Sequence, residues 1–441
     1  MEASSLFVAM VLVIAAVVAS MVSVELGLSV AIVELLLGLL LGNTMHLASP
    51  EWLVFLASLG SVVLTFNAGA EIDPAQLRRT WRASLLIGGA SFAAPCVVVL
   101  LLCRLVLDWS WRAAEIGGIA LSTTSVAVIW AVAVETGLVR TKLGQLLISS
   151  TFLTDLGTVL ALSVLFVQPT WWLLPFLGVS VVLIVLMRGL EGWFFGRYGE
   201  RVIEPELKGA FAALLVLMWL AAKANAQAVL PAFLLGFALA PIFARHRELQ
   251  SRFRVVSFAL LTPFFFLHAG MNVSLPLVLA NVGLLVLLLA AKLASKSAAV
   301  YPLARRYAPS HAWPVALLMS TGLTFGTIAS QAGLNMGVIT RAQFSVLVCA
   351  VALSAVVPTA IAQHILARNP VLETEAEAGT AGRAPATLAD LGGDLGPYGA
   401  GPGDDDEVPA HRRVHPPARS SEAPHPADAQ ESRALDDEGR P

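Results

Sequence analysis

Charge is what this chain has least of. Asp, Glu, Lys and Arg make up only 13% of its 441 residues, against 57% hydrophobic, and the mean hydropathy is +0.77. A soluble fold of that make-up could not cover its surface with polar groups, so the natural solvent is a bilayer. A net charge of −2 supplies no bulk field to draw nucleic acid or an acidic partner, and no nucleic-acid role is expected. Cysteine is equally sparse. Cys96, Cys103 and Cys349 stand inside apolar runs without CxxC or Cys/His spacing; this argues against a disulfide framework or zinc site and reads as small fillers facing the membrane. The chain lacks HExxH, paired GxGD carboxylates within an apolar span and a Ser/His arrangement, so an intramembrane enzyme is disfavoured. The opening Met1-Glu2-Ala3-Ser4-Ser5 has no cationic n-region, so the first apolar run is expected to persist in the mature protein. No GxGxxG follows a strand, so neither a nucleotide-binding domain nor a cofactor is expected.

Long apolar runs are what the chain has in abundance. A helix that crosses the hydrocarbon needs about 20 mostly apolar residues, because each rises about 1.5 Å through a layer about 30 Å thick. Thirteen runs qualify: 5–22, 26–42, 51–70, 84–107, 113–134, 143–167, 170–188, 207–224, 227–244, 254–271, 276–303, 312–334 and 342–367. The expected fold class is an all-α polytopic membrane protein. Cations gather after odd-numbered runs: Arg78, Arg79 and Arg82; Arg140 and Lys142; Arg197, Arg201 and Lys208; Arg245, Arg247, Arg252 and Arg254; Arg305 and Arg306. Loops after even-numbered runs hold few, among them Arg112, Lys223 and Arg341. Since cytoplasmic loops carry the excess of Lys and Arg, this alternation places the N-terminus outside, the C-terminus inside and the chain in a cell membrane. A transmembrane domain over 1–370 is followed at 371–441 by Gly, Pro, Asp and mixed charges, expected to be a disordered cytoplasmic tail.

Polar groups within the runs then stand out, because an ionisable side chain near the bilayer centre costs a few kcal/mol and needs a reason. Asp155 lies midway along the sixth run in Ser149-Ser150-Thr151-Phe152-Leu153-Thr154-Asp155, too deep to reach water along its own stem. A site for a proton or monovalent cation is the functional reading; a permanent structural ion pair is the bland one. Lys292 and Lys296 sit four apart on one face of the eleventh run, Lys296 the deeper candidate as a partner for Asp155. Reaching the interface along its own stem suits one of these lysines better than both. Two runs look interrupted, the fifth at Ser122-Thr123-Thr124-Ser125 and the twelfth at Ser320-Thr321-Gly322-Leu323-Thr324-Phe325-Gly326-Thr327. Such clusters leave backbone groups that a water-lined or ion-lined cavity would satisfy, although small-residue helix packing explains each alone equally well. Two breaks in corresponding halves of an inverted repeat would mark a binding site at mid-depth. Glu34 and Glu71 read as helix braces, and His268 as a hydrogen-bonded packing residue.

These residues, in this order, resemble the monovalent cation:proton antiporter superfamily, in particular the branch of bacterial sodium/proton and potassium-efflux antiporters. Residues 5–367 carry the likeness. Val33-Glu34-Leu35-Leu36-Leu37-Gly38 through Gly42 is similar to that family's second-helix signature, and Phe66-Asn67-Ala68-Gly69-Ala70-Glu71-Ile72-Asp73 to its third. Thr154-Asp155, Phe233-Leu234-Leu235-Gly236, Pro263-Phe264-Phe265-Phe266 with Gly270, and Lys296 nine residues before Arg305 fall where the family has comparable elements. The resemblance implies two inverted five-helix repeats with crossed, discontinuous helices, a core domain and a dimerisation domain, hence a homodimer. It implies exchange of Na⁺ or K⁺ for H⁺ by alternating access. In that scheme Asp155 holds the ion, Thr154 neighbours it, Thr123 and Thr124 form the first unwound segment, Ser320, Thr321, Gly322, Thr324 and Gly326 form the second, and Lys296 with Lys292 supplies accessory charge. Electrogenic members carry two adjacent acids where this chain has Thr154-Asp155, so electroneutral exchange is expected. Two other classes stay open: a sodium-coupled organic-anion symporter of similar fold and a non-transporting membrane sensor.

Overall fold

The computed structural model describes residues 3–45, 47, 49–136, 138, 141–166, 170–189, 197 and 204–367. Arg140, Arg201 and the tail 371–441 lie outside the described residues. Seventeen α-helices occur among those described: α1 Ala3–Leu26, α2 Val30–Thr44, α3 Glu51–Ala70, α4 Pro74–Leu105, α5 Trp111–Ser122, α6 Val126–Glu135, α7 Lys142–Phe166, α8 Leu173–Gly189, α9 Pro205–Lys223, α10 Val229–Arg245, α11 Arg247–Val256, α12 Thr262–Asn272, α13 Leu275–Ala280, α14 Val282–Tyr307, α15 Ala312–Met319, α16 Thr324–Asn335 and α17 Arg341–Ala367. Among the described residues, ten helical stretches are long and apolar enough to cross a membrane. The apolar helices Val30–Thr44, Leu173–Gly189 and Val229–Arg245 are shorter and fall on the second, seventh and ninth runs.

Several boundaries differ from the sequence reading. Helix α4 begins at Pro74, so Arg78, Arg79 and Arg82 lie on its first turns and not in a loop. The run at 276–303 is divided at Asn281, whose Nδ2 donates to the Leu277 carbonyl at 2.7 Å and closes α13 before α14 starts. The run at 254–271 is the end of a longer element: a π-turn at Ser257–Leu261, closed by the Thr262 amide on the Ser257 carbonyl, joins α11 to α12 just before Pro263. Both interruptions read from the hydroxyl clusters are present, α5 stopping at Ser122 and α15 at Met319.

The helices sort into two groups. In the first, α2 packs on α12, α3 on α10 and α12, and α8 on α9 and α10. In the second, α4 packs on α5, α7 and α14, and the broken pairs pack against each other and against α17. Contacts between groups run from α10 to α7 and through α13 to α17. Glycines set the two tightest crossings of the first group. A Cβ on Gly38 would strike the Leu267 carbonyl and one on Gly270 the Leu35 carbonyl; Gly69 and Gly236 stand in the same relation to the Phe233 and Phe66 carbonyls. Without a hydrophobic force between helices in lipid, such close backbone approach supplies the packing energy. Gly236→Ala is expected to force α3 and α10 apart and cost about 1–3 kcal/mol, the range for overpacking, read as a lower melting temperature in detergent.

The cysteine reading needs one correction. Cys103 faces inward, fully buried against Gly117 and Trp109, while Cys96 and Cys349 are half-buried.

Candidate functional site

The two broken helices meet end to end at the centre of the second group. Each half-helix that stops there leaves carbonyls without an intrahelical donor, and its dipole places partial negative charge at the same point. The Lys296 ammonium fills that role. Its three protons go to the Thr123 carbonyl at 2.7 Å, Thr124 Oγ1 at 2.8 Å and the Met319 carbonyl at 2.9 Å. Thr124 Oγ1 in turn donates to Met319 O at 3.0 Å, and Thr321 Oγ1 accepts from the Ser125 amide at 3.4 Å. A lysine and hydroxyls, rather than a watery cavity, thus satisfy much of the unwound backbone.

Lys292 lies one turn away and is equally buried, both lysines being 0% exposed. Its Nζ donates to Ser354 Oγ at 2.7 Å and covers Gly322, where a Cβ would collide with it. Both being buried, neither lysine follows the alternative of a stem that reaches the interface. Their spacing of four residues keeps both on the face of α14 that meets the crossing.

Asp155 is 2% exposed on α7, and its Oδ1 has no hydrogen-bond partner. Among the described residues no hydrogen bond or close ion pair joins it to Lys296, whose protons go to the half-helix ends, although the two charges lie near enough to attract each other. Asp155 borders a cavity of about 300 Å³ with Thr124 and Thr324, one from each unwound segment, and with Asn67 of α3. The cavity runs from there to Glu71, Asp73, Gln250 and Arg254 at the ends of α3 and α11. Its charged lining is three carboxylates against one guanidinium, with Arg254 Nε 3.9 Å from Glu71 Oε1. A cleft with that balance and low-dielectric walls raises the local concentration of cations.

The remaining expected site residues divide clearly. Thr154 is fully buried, donates its hydroxyl to the Thr151 carbonyl at 2.5 Å and does not line the cavity. Thr123, with its hydroxyl on the Ala120 carbonyl, contributes its own carbonyl to Lys296. Ser320 and Thr321 cap their own half-helix through the Ala316 and Leu318 carbonyls, and Gly326 lets α16 approach the Ala120 carbonyl. These residues build the crossing; Asp155, Thr124 and Thr324 face the cavity. Sequence reading passed over Asn67, whose Nδ2 is buried without a partner beside that cavity. An amide inside an apolar run was the available signal.

The acids read as braces behave differently. Glu71 lines the cavity mouth as well as facing Arg254, and Glu34 is buried in α2 with Oε2 unpartnered. His268 is not fully bonded either: Nε2 lies 3.5 Å from Asn272 Nδ2, and Nδ1 has no partner.

A buried carboxylate in such a cleft, with Glu71 and Asp73 at the far end, has room for one proton or one weakly held monovalent ion, with neutral oxygens completing the shell. Known proteins bear on that chemistry. The chain is 24% identical over 348 residues to YjbQ of Bacillus subtilis, covering 71% of this chain and 55% of that protein. It is 27% identical over 261 residues to "Probable Na(+)/H(+) antiporter 3" of Methanocaldococcus jannaschii, covering 56% and 66% respectively. The chain therefore spans between about half and two thirds of these relatives. Its fold is similar to that of the sodium proton antiporter MjNhaP1 from Methanocaldococcus jannaschii, with a TM-score of 0.64 at 13% identity, over 83% of this chain and 98% of that one. The family model described as "Sodium/hydrogen exchanger, transmembrane" matches residues 11–368. This multi-pass membrane chain belongs to the sodium/hydrogen exchanger family.

Proposed function

We propose that the chain is a secondary antiporter that exchanges Na⁺ or K⁺ for H⁺ around Asp155, without net charge movement. The observation that carries this reading is the Asp155 carboxylate itself: buried, not hydrogen-bonded to Lys296, and bordering a cavity that extends towards Glu71 and Arg254. With a single acid at the site, cation and proton compete for the same oxygens. Thr124 and Thr324 hydroxyls and the Asn67 amide oxygen are the neutral ligands at hand. The relatives' names and the solved fold point to Na⁺.

The cationic loops argue for a cavity mouth on the cytoplasmic side, so this conformation faces inward across thirteen crossings. The fifth and twelfth runs lie seven apart, and the same shift carries the α2–α12 glycine crossing onto α10–α3. That relation supports two inverted repeats, whose rocking would move the second helix group against the first and expose Asp155 to the other face. The first group is then the scaffold and the dimerisation surface. A symporter of organic anions would want an unspent cation in the cavity, and both buried lysines are committed elsewhere.

In proteoliposomes carrying a pH dye, Na⁺ or K⁺ should evoke proton movement. Its rate is expected to stay the same when valinomycin and a K⁺ gradient impose a voltage during Na⁺-driven assays, since one charge replaces one charge. A rate that follows the imposed potential contradicts one-for-one exchange.

A further inference from the structure

A second cavity, of about 180 Å³, lies apart from Asp155 among α3, α9, α10, α12 and α16. Ser58, Ser61, His268, Gln331 and Asn335 give it a polar lining without an Asp, Glu, Lys or Arg. Two buried atoms there have no partner: Gln331 Oε1, on a side chain 7% exposed, and His268 Nδ1, on one 5% exposed. The Gln331 Nε2 donates to Asn335 Oδ1 at 2.8 Å, which fixes the amide and leaves its oxygen as an open acceptor.

The placement of this cavity gives those atoms a purpose. Helix α16 borders both cavities, with Thr324 and Phe325 on the Asp155 side and Gln331 and Asn335 on the other. Helix α12 does the same with consecutive residues, Phe266 on the first and Phe265 on the second, their ring centroids 4.9 Å apart. On α3 the pair is Leu64 and Val62. An apolar layer thus separates two polar spaces, one beside the N-terminal half of α3 and the other beside its C-terminal half.

We infer that the second cavity is a low-affinity site for a partly hydrated monovalent cation on the face opposite Arg254, with Gln331 Oε1 as direct ligand and His268 holding a hydration water. This rests on the exchange reading above, which supplies the cargo. A neutral oxygen site without a carboxylate binds a cation weakly enough to release it, as a step on a path requires. Water bridging a ring nitrogen and an ion costs little.

The test measures half-saturating Na⁺ from each face of proteoliposomes with uniformly oriented protein. Gln331→Leu is expected to raise that concentration about five-fold on the second-cavity face, the effect of losing one hydrogen-bond-sized contact, and to leave the Asp155 face unchanged. Gln331→Glu should lower it on the same face. A Ser61→Cys chain should react with a membrane-impermeant thiol reagent from that face only, more slowly with Na⁺ present, relative to the parent chain. This readout stands even where a Gln331 variant does not fold. Equal shifts on both faces, no shift on either, or an introduced thiol that the reagent does not reach overturns the inference. If Asp155→Asn silences transport in the same vesicles, the exchange reading survives that failure; if it does not, the exchange reading falls on its own account.

Discussion

Asp155→Asn is expected to silence cation-evoked proton movement by at least about 100-fold, the equivalent of losing a charged contact worth roughly 3 kcal/mol. The amide matches the carboxyl in size but can neither release a proton nor carry the charge that holds a cation. The folded state should not suffer. Asp155 has an unpartnered oxygen and no ion pair among the described residues, so replacing it breaks no hydrogen bond and removes a charge whose burial costs more than its attraction to Lys296 returns. The melting temperature should therefore equal or exceed that of the parent while transport disappears, and thermal melts run beside the vesicle assay read both. A variant that loses stability and transport together would make Asp155 a structural residue.

Lys296→Met is expected to give the opposite pattern. Three acceptors lose the ammonium at once; the Met319 carbonyl keeps the Thr124 hydroxyl as a donor, while the Thr123 carbonyl, past the end of its half-helix, has no intrahelical replacement. Each bond from a charged donor is worth about 1.5–3 kcal/mol, and relief of the buried charge returns part of the sum, leaving a net loss of about 3 kcal/mol. The variant should melt several degrees lower in detergent. Lys292→Met, which breaks the bond to Ser354 Oγ, should melt closer to the parent. A Lys296→Met chain as stable as the parent would contradict the role of this ammonium as the clamp of the crossing.

That contrast also explains what could be read from the sequence. Asp155 and the breaks at 122–125 and 320–323 announced themselves, because lipid makes every acid and hydroxyl cluster at mid-depth conspicuous. The two crossing glycine pairs were visible as motifs, though their purpose needed the facing carbonyls of Leu267, Leu35, Phe233 and Phe66. The assignment of Lys296 was hidden for a physical reason: its partners are mostly backbone oxygens, which every residue has and no residue type signals. Thr154 looked like a ligand by adjacency, yet one step along a helix turns the side chain about 100°, away from the cavity that Asp155 borders. Asn67 and Gln331 were legible only as odd amides, since a cavity is made by elements far apart in the chain.

The proton count on cation binding tests the account most directly. Purified protein in detergent, poised where the site is protonated, is titrated with Na⁺ by calorimetry in buffers of different ionisation enthalpy. If Asp155 is shared in turn by H⁺ and the metal ion, proton release should match cation uptake one for one and vanish in Asp155→Asn. Na⁺ that binds with no proton released, or that releases the same amount from Asp155→Asn, would contradict it.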